Sequence, residues 1–520
     1  MRMSEITLKD SYSTAKKAFR LGTYLRNHHK FYSQGDRMPI WMYNEQKGIW
    51  IDTGVNFIQN FLAHYLGSMY EKNLVNEVLS YIRYTSYDDG VILGGPTNKI
   101  VMANGTFNLD TYTFDPRFNA DEYHISGIPI NYDPDAKCPN IDQFLIEILM
   151  KTDLDGNILN DDETNIRAMT EFFGYCLLKD YPYAIVLMLL GGGANGKSTL
   201  LEILRKFVGP ENCSACTPQQ LAENRFKMAQ LRGRLVNIAG DIPAKPLEYT
   251  GTIKMVTGGD QINAEHKNQD SFDFINHAKM IFSANQLPRA YDTTDAFHRR
   301  IRIIDFPNIF ASDDPTTKSK DKLLSTLTTP EELSGLFLKA VGGLRKLETA
   351  GHLTGEQTAL EKRIAYVQRS DAIEYMVLKY IFHDPMGTPI TKETLFDLYI
   401  QLSTALKMLP TSDAWFGKLL RRHLPYIESK QLAIGPGGKK IWCWVGIGTY
   451  TDELLQEIEH LNRISGRTGN SGILGFQQNK RDLYIKGEEL IEGKPKNTRI
   501  TQVTQDESET DEVFESSDRE

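Results

Sequence analysis

The sequence predicts an α/β chain built on a mostly parallel sheet, with a mixed α+β region before it and a small helix-and-hairpin module after it. Three observations carry this. Four short apolar runs, AIVLMLL from Ala184, RLVNIA from Arg234, KMIFSA from Lys279 and IRIID from Ile301, are separated by polar and helical stretches. Strands alternating with helices imply a parallel sheet with helices on its faces. A glycine-rich turn follows the first run and leads into a helical pattern. Residues 371–450 read as three amphipathic helices followed by two strands joined at Gly435-Pro436-Gly437-Gly438.

The elements follow in order. IWIDTGVNFIQNFLAHYLGSMY reads as a short strand and an amphipathic helix, and KIVMANGTFNLDTYTFDP as a hairpin turning at Asn104-Gly105. IDQFLIEILMKTDLD and TNIRAMTEFFGYCLL have helical spacing, with Phe144, Ile146, Leu149 and Met150 near one face of the first. AIVLMLL is continuous enough for a buried parallel strand. In the last module Ile373, Met376, Val377, Tyr380 and Ile381 share one helical face, and Leu395, Leu398, Tyr399 and Leu402 another. SDAWFGKLLRRHL is the third helix, and three helices before a β-wing form the winged-helix pattern. The expected division is an N-terminal domain over 1–160, the sheet-bearing core over 161–350, the winged-helix module over 371–450 and an acidic tail over 451–520.

Composition limits the class. The 520 residues exceed one compact core, and 41% apolar with 24% charged residues is ordinary for a globular protein. No run approaches the roughly 18 apolar residues that cross a membrane, and the N-terminus lacks an apolar signal region. A cytoplasmic protein without membrane contact is expected. Five cysteines make no disulfide framework, and the lone CxxC of Cys213 and Cys216 lacks the further ligands of a zinc site. The net charge of −8 sits mostly in the tail, where Asp506 to Glu520 hold eight acids and one base. Basic patches can therefore exist elsewhere. The Ser- and acid-rich tail is expected to be disordered.

The most specific motif is GGGANGKST. Gly191, four residues, Gly196, Lys197 and Ser198 have phosphate-loop spacing, between a buried strand and a helix. Glycines let backbone N–H groups curl round an anion, and the helix adds its positive end. Gly191, Gly192, Gly193, Ala194, Asn195, Gly196, Lys197, Ser198 and Thr199 are thus expected to bind nucleotide, which makes the core an α/β P-loop NTPase. Lys197 is expected to reach the outer phosphates of ATP, and Ser198 to hold Mg²⁺. Asp241, after the strand LVNIA, suits a second Mg²⁺ ligand, because ligands gather at the carboxyl ends of such strands. Asn285, after KMIFSA, could hold a water against the terminal phosphate, or serve only as a turn residue.

The ordered series GGGANGKST, LVNIAGDIP, IKMVTGGDQINAEHKN, KMIFSANQLP and DAFHRRIRIIDFP resembles the motifs of superfamily III (AAA+ type) helicases. It is most similar to the phage, plasmid and poxvirus primase-helicase group. The flanks from NGTFNLDTYTFDP to EFFGYCLLKDYPYAIVLMLL fit that group, and the resemblance covers about residues 35–450. It implies that Lys197 and Ser198 are the Walker A pair, Asp241 the Walker B acid and Asn285 the polar sensor. Arg299 or Arg300 would be the arginine finger, acting on a neighbouring subunit in a hexameric ring. The stretch from Lys254 to Asn268 matches the family's pore-loop region, where Lys254, His266 and Lys267 could meet DNA phosphates. In the winged-helix module Lys418, Arg421, Arg422 and His423 lie on or near the third helix, and Lys439 and Lys440 at the wing. Recognition-helix docking on DNA is one use of such a module and protein binding another.

Two departures from the group stand out. Gly240 precedes Asp241 where many members carry a second acid. Fewer than about 40 residues precede the recognisable region, with no metal-binding carboxylate set, so primase activity is not expected in this chain. The resemblance implies an ATP-driven helicase on single-stranded or forked DNA, serving a mobile element with a separate primase or polymerase. An ATPase that loads or remodels a replication complex, or a nucleotide-switched DNA-binding regulator, are the alternatives. Arg299, Arg300 and Asn285 would be superfluous in a slow switch.

Overall fold

The computed structural model describes residues 8–9, 11–36, 38–151, 163–267, 270–292, 294–310, 319–434 and 436–464. Residues 465–520 of the expected acidic tail lie outside them, whereas its first part, 451–464, is helical rather than disordered. Helix α1 (Thr14–His28) starts behind Ser13, whose hydroxyl accepts the Lys16 N–H, a common way to satisfy a helix start. Its Leu21 and Leu25 pack with Ile58 and Leu62 of α2 (Gly54–Leu66) and Val78 and Ile82 of α3 (Lys72–Thr85). Strands β1 (Phe31–Ser33), β2 (Ile40–Asn44) and β3 (Ile49–Ile51) form an antiparallel sheet.

A second antiparallel sheet joins β4 (Lys99–Met102), β5 (Gly105–Asn108) and β6 (Thr113–Asp115). Met102 pairs with Gly105, so the hairpin tip is Ala103-Asn104, one residue earlier than the sequence suggested. Asn104 is held there by its side chain, which accepts the Tyr132 N–H at 2.8 Å and donates to the Tyr132 carbonyl at 3.0 Å.

Helices α4 (Pro139–Leu149) and α5 (Thr164–Tyr175) lead to the central sheet. In α4 it is Ile148, rather than Ile146, that is fully buried beside Phe144 and Leu149. The sheet order is β13 (Ile301–Asp305), β7 (Val186–Leu190), β12 (Lys279–Ala284), β9 (Val236–Ala239) and β8 (Cys213–Ser214), and every pairing is parallel. All of β12 is buried, as expected of a central strand covered on both faces. The strands are connected through α6 (Lys197–Val208), α7 (Pro218–Glu223), α8 (Arg225–Met228), α9 (Gly251–Val256), the hairpin β10 (Gln261–Glu265) and β11 (Ser271–Ile275), and α10 (Asp295–His298).

Helices α11 (Lys320–Leu327), α12 (Pro330–Ala350) and α13 (Ala359–Val367) follow. Helix α12 crosses α5 so closely that a Cβ at Gly174 would lie 2.1 Å from the Ala340 carbonyl oxygen. Buried Glu332 of α12 accepts the N–H groups of Asn140 (3.1 Å) and Ile141 (3.0 Å), supplying partners that the start of α4 lacks within itself. One apolar cluster runs from Ile100 and Phe107 through Phe144, Phe172 and Leu336 to Leu187 and Ile281.

The last region holds α14 (Ala372–Tyr380), β14 (Ile381–Asp384), β15 (Ile390–Thr391), α15 (Lys392–Ala405), α16 (Asp413–His423), β16 (Glu428–Leu432), β17 (Ile441–Thr449) and α17 (Thr451–Ile464). Strand β17 pairs antiparallel with β14, β15 and β16. The sequence pattern showed only β16 and β17, and Ile381 begins β14 rather than ending a helix. Among the described residues, no helix is long and apolar enough to cross a membrane.

Candidate functional site

Parallel strands bring their carboxyl ends to one edge of the sheet. Three segments meet there: the loop 191–196 with the start of α6, the turn after β9 with Asp241, and Asn285 after β12. The loop backbone enters the left-handed region at Gly193 (φ 103°), Ala194 (46°) and Gly196 (85°). At Gly192 and Gly193 an added Cβ would point into open space; at Gly191 it would lie 2.0 Å from Asn195 Nδ2. At Gly196 it would lie 2.5 Å from Ile148 Cγ2, so α4 backs the loop. The first-turn N–H groups of α6 point out of the helix end with its partial positive charge.

Lys197 is buried, and its Nζ donates to the Gly191 carbonyl (2.6 Å), Asn195 Oδ1 (3.0 Å) and Asn285 Oδ1 (3.4 Å). Burial lowers its pKa, and the charge of Asp241 opposes that shift. Asp241 is exposed with φ 48°, and its N–H donates to Ser283 Oγ at 3.2 Å. Ser198 is exposed and Thr199 buried. Asn195 does more than fill a loop position: its buried Nδ2 has no acceptor among the described residues, while its Oδ1 steadies Lys197. Loop spacing alone gave no sign of this.

Arg299 and Arg300 close α10 and differ sharply. Arg300 is half-buried, donates from Nε to Thr257 Oγ1 (3.0 Å) and from Nη1 to the Ala296 carbonyl, and has its pKa lowered by burial. The Arg299 side chain is exposed, while its carbonyl accepts Lys362 Nζ at 2.8 Å.

The three residues read as a pore-loop set lie on two elements, Lys254 on α9 and His266 and Lys267 just after β10. Lys254 lies on α9, half-buried, with Nζ 2.9 Å from Asp292 Oδ2. Burial opposes ionisation of Asp292, but hydrogen bonds from Thr250, Thr294 and Lys254 hold its carboxyl well below the usual range. This ion pair commits Lys254 to structure. His266 and Lys267 are exposed just beyond β10, with His266 stacked on Phe272 at 5.2 Å. Asn268 is outside the described residues. Arg225, paired with Glu265 at 2.9 Å, and Arg232, 4.6 Å from the Phe272 ring, also reach this hairpin. They lie far upstream in sequence, so no local motif pointed to them.

Lys418, Arg421 and Arg422 are exposed on α16, and Lys439 and Lys440 are exposed between β16 and β17. Arg422 leans over Tyr291, which follows β12 (5.2 Å). His423 instead turns towards Asp371 and Glu374, with the three ligand atoms within 4.8 Å of one another. Arg289 pairs with Asp371 (3.1 Å) and Arg363 with Glu374 (2.7 Å). A cation placed there would meet two guanidinium groups, so the cluster reads as an ion-pair network. Burial pushes the Cys213 thiol up to about 11, and Cys216 Sγ faces the Lys227 carbonyl at 3.6 Å; neither belongs to a metal-ligand cluster among the described residues.

Comparison with known proteins gives partial matches. Residues 23–150 match the family described as D5 N terminal like, and residues 189–300 match a family of unknown function, DUF5906. The second match contains Lys197, Asp241, Asn285 and Arg299. The curated protein named "Putative helicase L207/L206", from Acanthamoeba polyphaga mimivirus, is 30% identical over 143 residues. That alignment covers 26% of this chain and 15% of the mimivirus protein. Two apo structures of the NrS-1 C-terminal region, at 12% identity and TM-score 0.41, cover 83% and 84% of this chain and all of theirs. By these sequence matches part of the chain is similar to a viral protein named as a helicase and to the D5 N terminal like family.

Proposed function

We propose that this chain is an ATP-dependent DNA helicase of the superfamily III type, acting as a ring, most simply a hexamer, on single-stranded or forked DNA. The observation that carries the reading is the convergence of the 191–196 loop, Lys197, Asp241 and Asn285 at one sheet edge. The open space over Gly192 and Gly193 and the left-handed backbone suit an anion cradle. ATP phosphates would be held by the loop N–H groups and the start of α6. Lys197 would exchange its loop acceptors for phosphate oxygens. Ser198 and Asp241 would hold Mg²⁺, which neutralises charge on the phosphates.

With Gly240 in place of a second acid, Asn285 orients the attacking water. Arg299 is the finger offered to the adjacent subunit, because Arg300 is already bound within its own. A finger in trans needs a head-to-tail interface, which closes into a ring. The region 371–450 works as a winged-helix module that contacts DNA. Replication partners would include a separate primase or polymerase.

The test is ATP hydrolysis by the purified chain with Mg²⁺, with and without single-stranded DNA. The expected result is DNA-stimulated hydrolysis that Lys197→Ala abolishes. ATP binding without hydrolysis on any DNA would overturn the proposal.

A further inference from the structure

Three of the chain's five tryptophans, Trp415, Trp442 and Trp444, lie in the C-terminal region, and cations are parked on all three. Lys392 Nζ lies 5.1 Å from the Trp442 ring centre and 4.6 Å from that of Trp444. The Arg421 guanidinium is 5.2 Å from Trp444, and Lys418 Nζ is 4.5 Å from Trp415. Trp442 and Trp444 alternate along β17 and so share one face. Trp444 is buried at the centre, next to Gly417 of α16. Trp415 and Trp442 remain 52% and 50% exposed, far more than a packing role requires.

Charge points to an anionic polymer. Residues 392–442 hold eight Lys or Arg against four Asp or Glu, in a chain of net charge −8. Groove docking of α16 suits this surface poorly. A recognition helix presents its N-terminal residues to base edges, whereas α16 begins with Asp413, Ala414 and Trp415 and carries its arginines in the last turn. Exposed rings among cations are the means by which proteins hold unpaired strands: bases stack on the rings and the cations follow the phosphates.

We propose that the face bearing Trp415, Trp442, Lys392 and Arg421 binds an unpaired nucleic-acid strand by base stacking. This deepens the reading of the module as a DNA contact, and it needs no ATP. Lys197→Ala should bind the strand as the wild type does, so failure of the ATPase reading and failure of the stacking reading are separable.

The test uses the full chain without nucleotide, titrated with oligothymidylate while tryptophan emission and the anisotropy of a labelled oligonucleotide are read. The expected result is quenched emission and tighter binding than to a duplex of equal length. Trp415→Ala and Trp442→Ala should each weaken single-strand binding about tenfold, in the range for loss of one stacking ring. The Trp415→Phe/Trp442→Phe chain, which keeps flat rings, should retain most of the affinity and lose the quenching. Oligouridylate should behave similarly, since a ring stacks on a base whatever the sugar, and the tighter of the two identifies the strand. Unchanged oligothymidylate affinity in the double Ala variant, or equal losses for duplex and single strand, would overturn the proposal.

Discussion

The lysine at the end of the central sheet and the lysines of the C-terminal face are held in opposite ways. Lys197 is buried, and three oxygens fix its ammonium. Lys392 and Lys418 lie over indole rings, half-buried and exposed respectively. In the proposed reading the first arrangement holds one geometry for one ligand, as fixed polar groups that stabilise developing charge do. In the same reading the second would let cations adjust to a polymer whose phosphates arrive in any register.

Lys197→Ala breaks the comparison at its rigid end and carries the largest expected effect. Hydrolysis should fall at least about a thousandfold, with single-strand binding retained; equal loss of both would mean that the two regions are not separate. Arg299→Ala comes next, with a loss of about a thousandfold in hydrolysis and an unchanged melting temperature. Mixing Arg299→Ala with Lys197→Ala subunits should restore part of the activity, because some interfaces regain both groups; no restoration would argue against a finger in trans. Arg300→Ala should instead lower stability by about 1–3 kcal/mol through lost buried hydrogen bonds, read as a shifted urea midpoint.

Burial sharpens the same contrast through pH. Lys179 and Lys279 are buried cations whose pKa values burial pulls down to about 7. Backbone carbonyls accept from Lys279 Nζ, among them Asp180 (2.6 Å) and His277 (2.9 Å). The unfolded lysine titrates near about 10.4. Between these values the unfolded chain binds more protons, so stability should rise as pH increases from about 7 towards about 10. Urea midpoints at neutral and alkaline pH measure this, and Lys279→Met should flatten the rise. A midpoint that falls over that window would contradict the account. The smallest effect belongs to the exposed end of the β10–β11 hairpin. Lys267→Ala should reduce the salt dependence of single-strand binding by about 0.7 in log–log slope, one phosphate contact.

The sequence showed the sheet because AIVLMLL, RLVNIA, KMIFSA and IRIID are strands buried on both faces, where the apolar run is the signal. It showed the loop because spacing and context coincide at Gly191 to Ser198. It missed β14 and β15, which are short, half-exposed strands recruited by β17. It grouped Lys254 with His266 and Lys267, since nothing local announces the ion pair with Asp292, 38 residues away. It could not separate Arg299 from Arg300, because their difference is made by Thr257 on another element. Pairings of that kind are long-range, and periodicity does not encode them.

The most direct test of the central claim is strand separation of a forked DNA duplex by the purified chain with ATP and Mg²⁺, beside Lys197→Ala. Unwinding by the wild type and none by the variant is expected. DNA-stimulated hydrolysis that never separates the strands would contradict it.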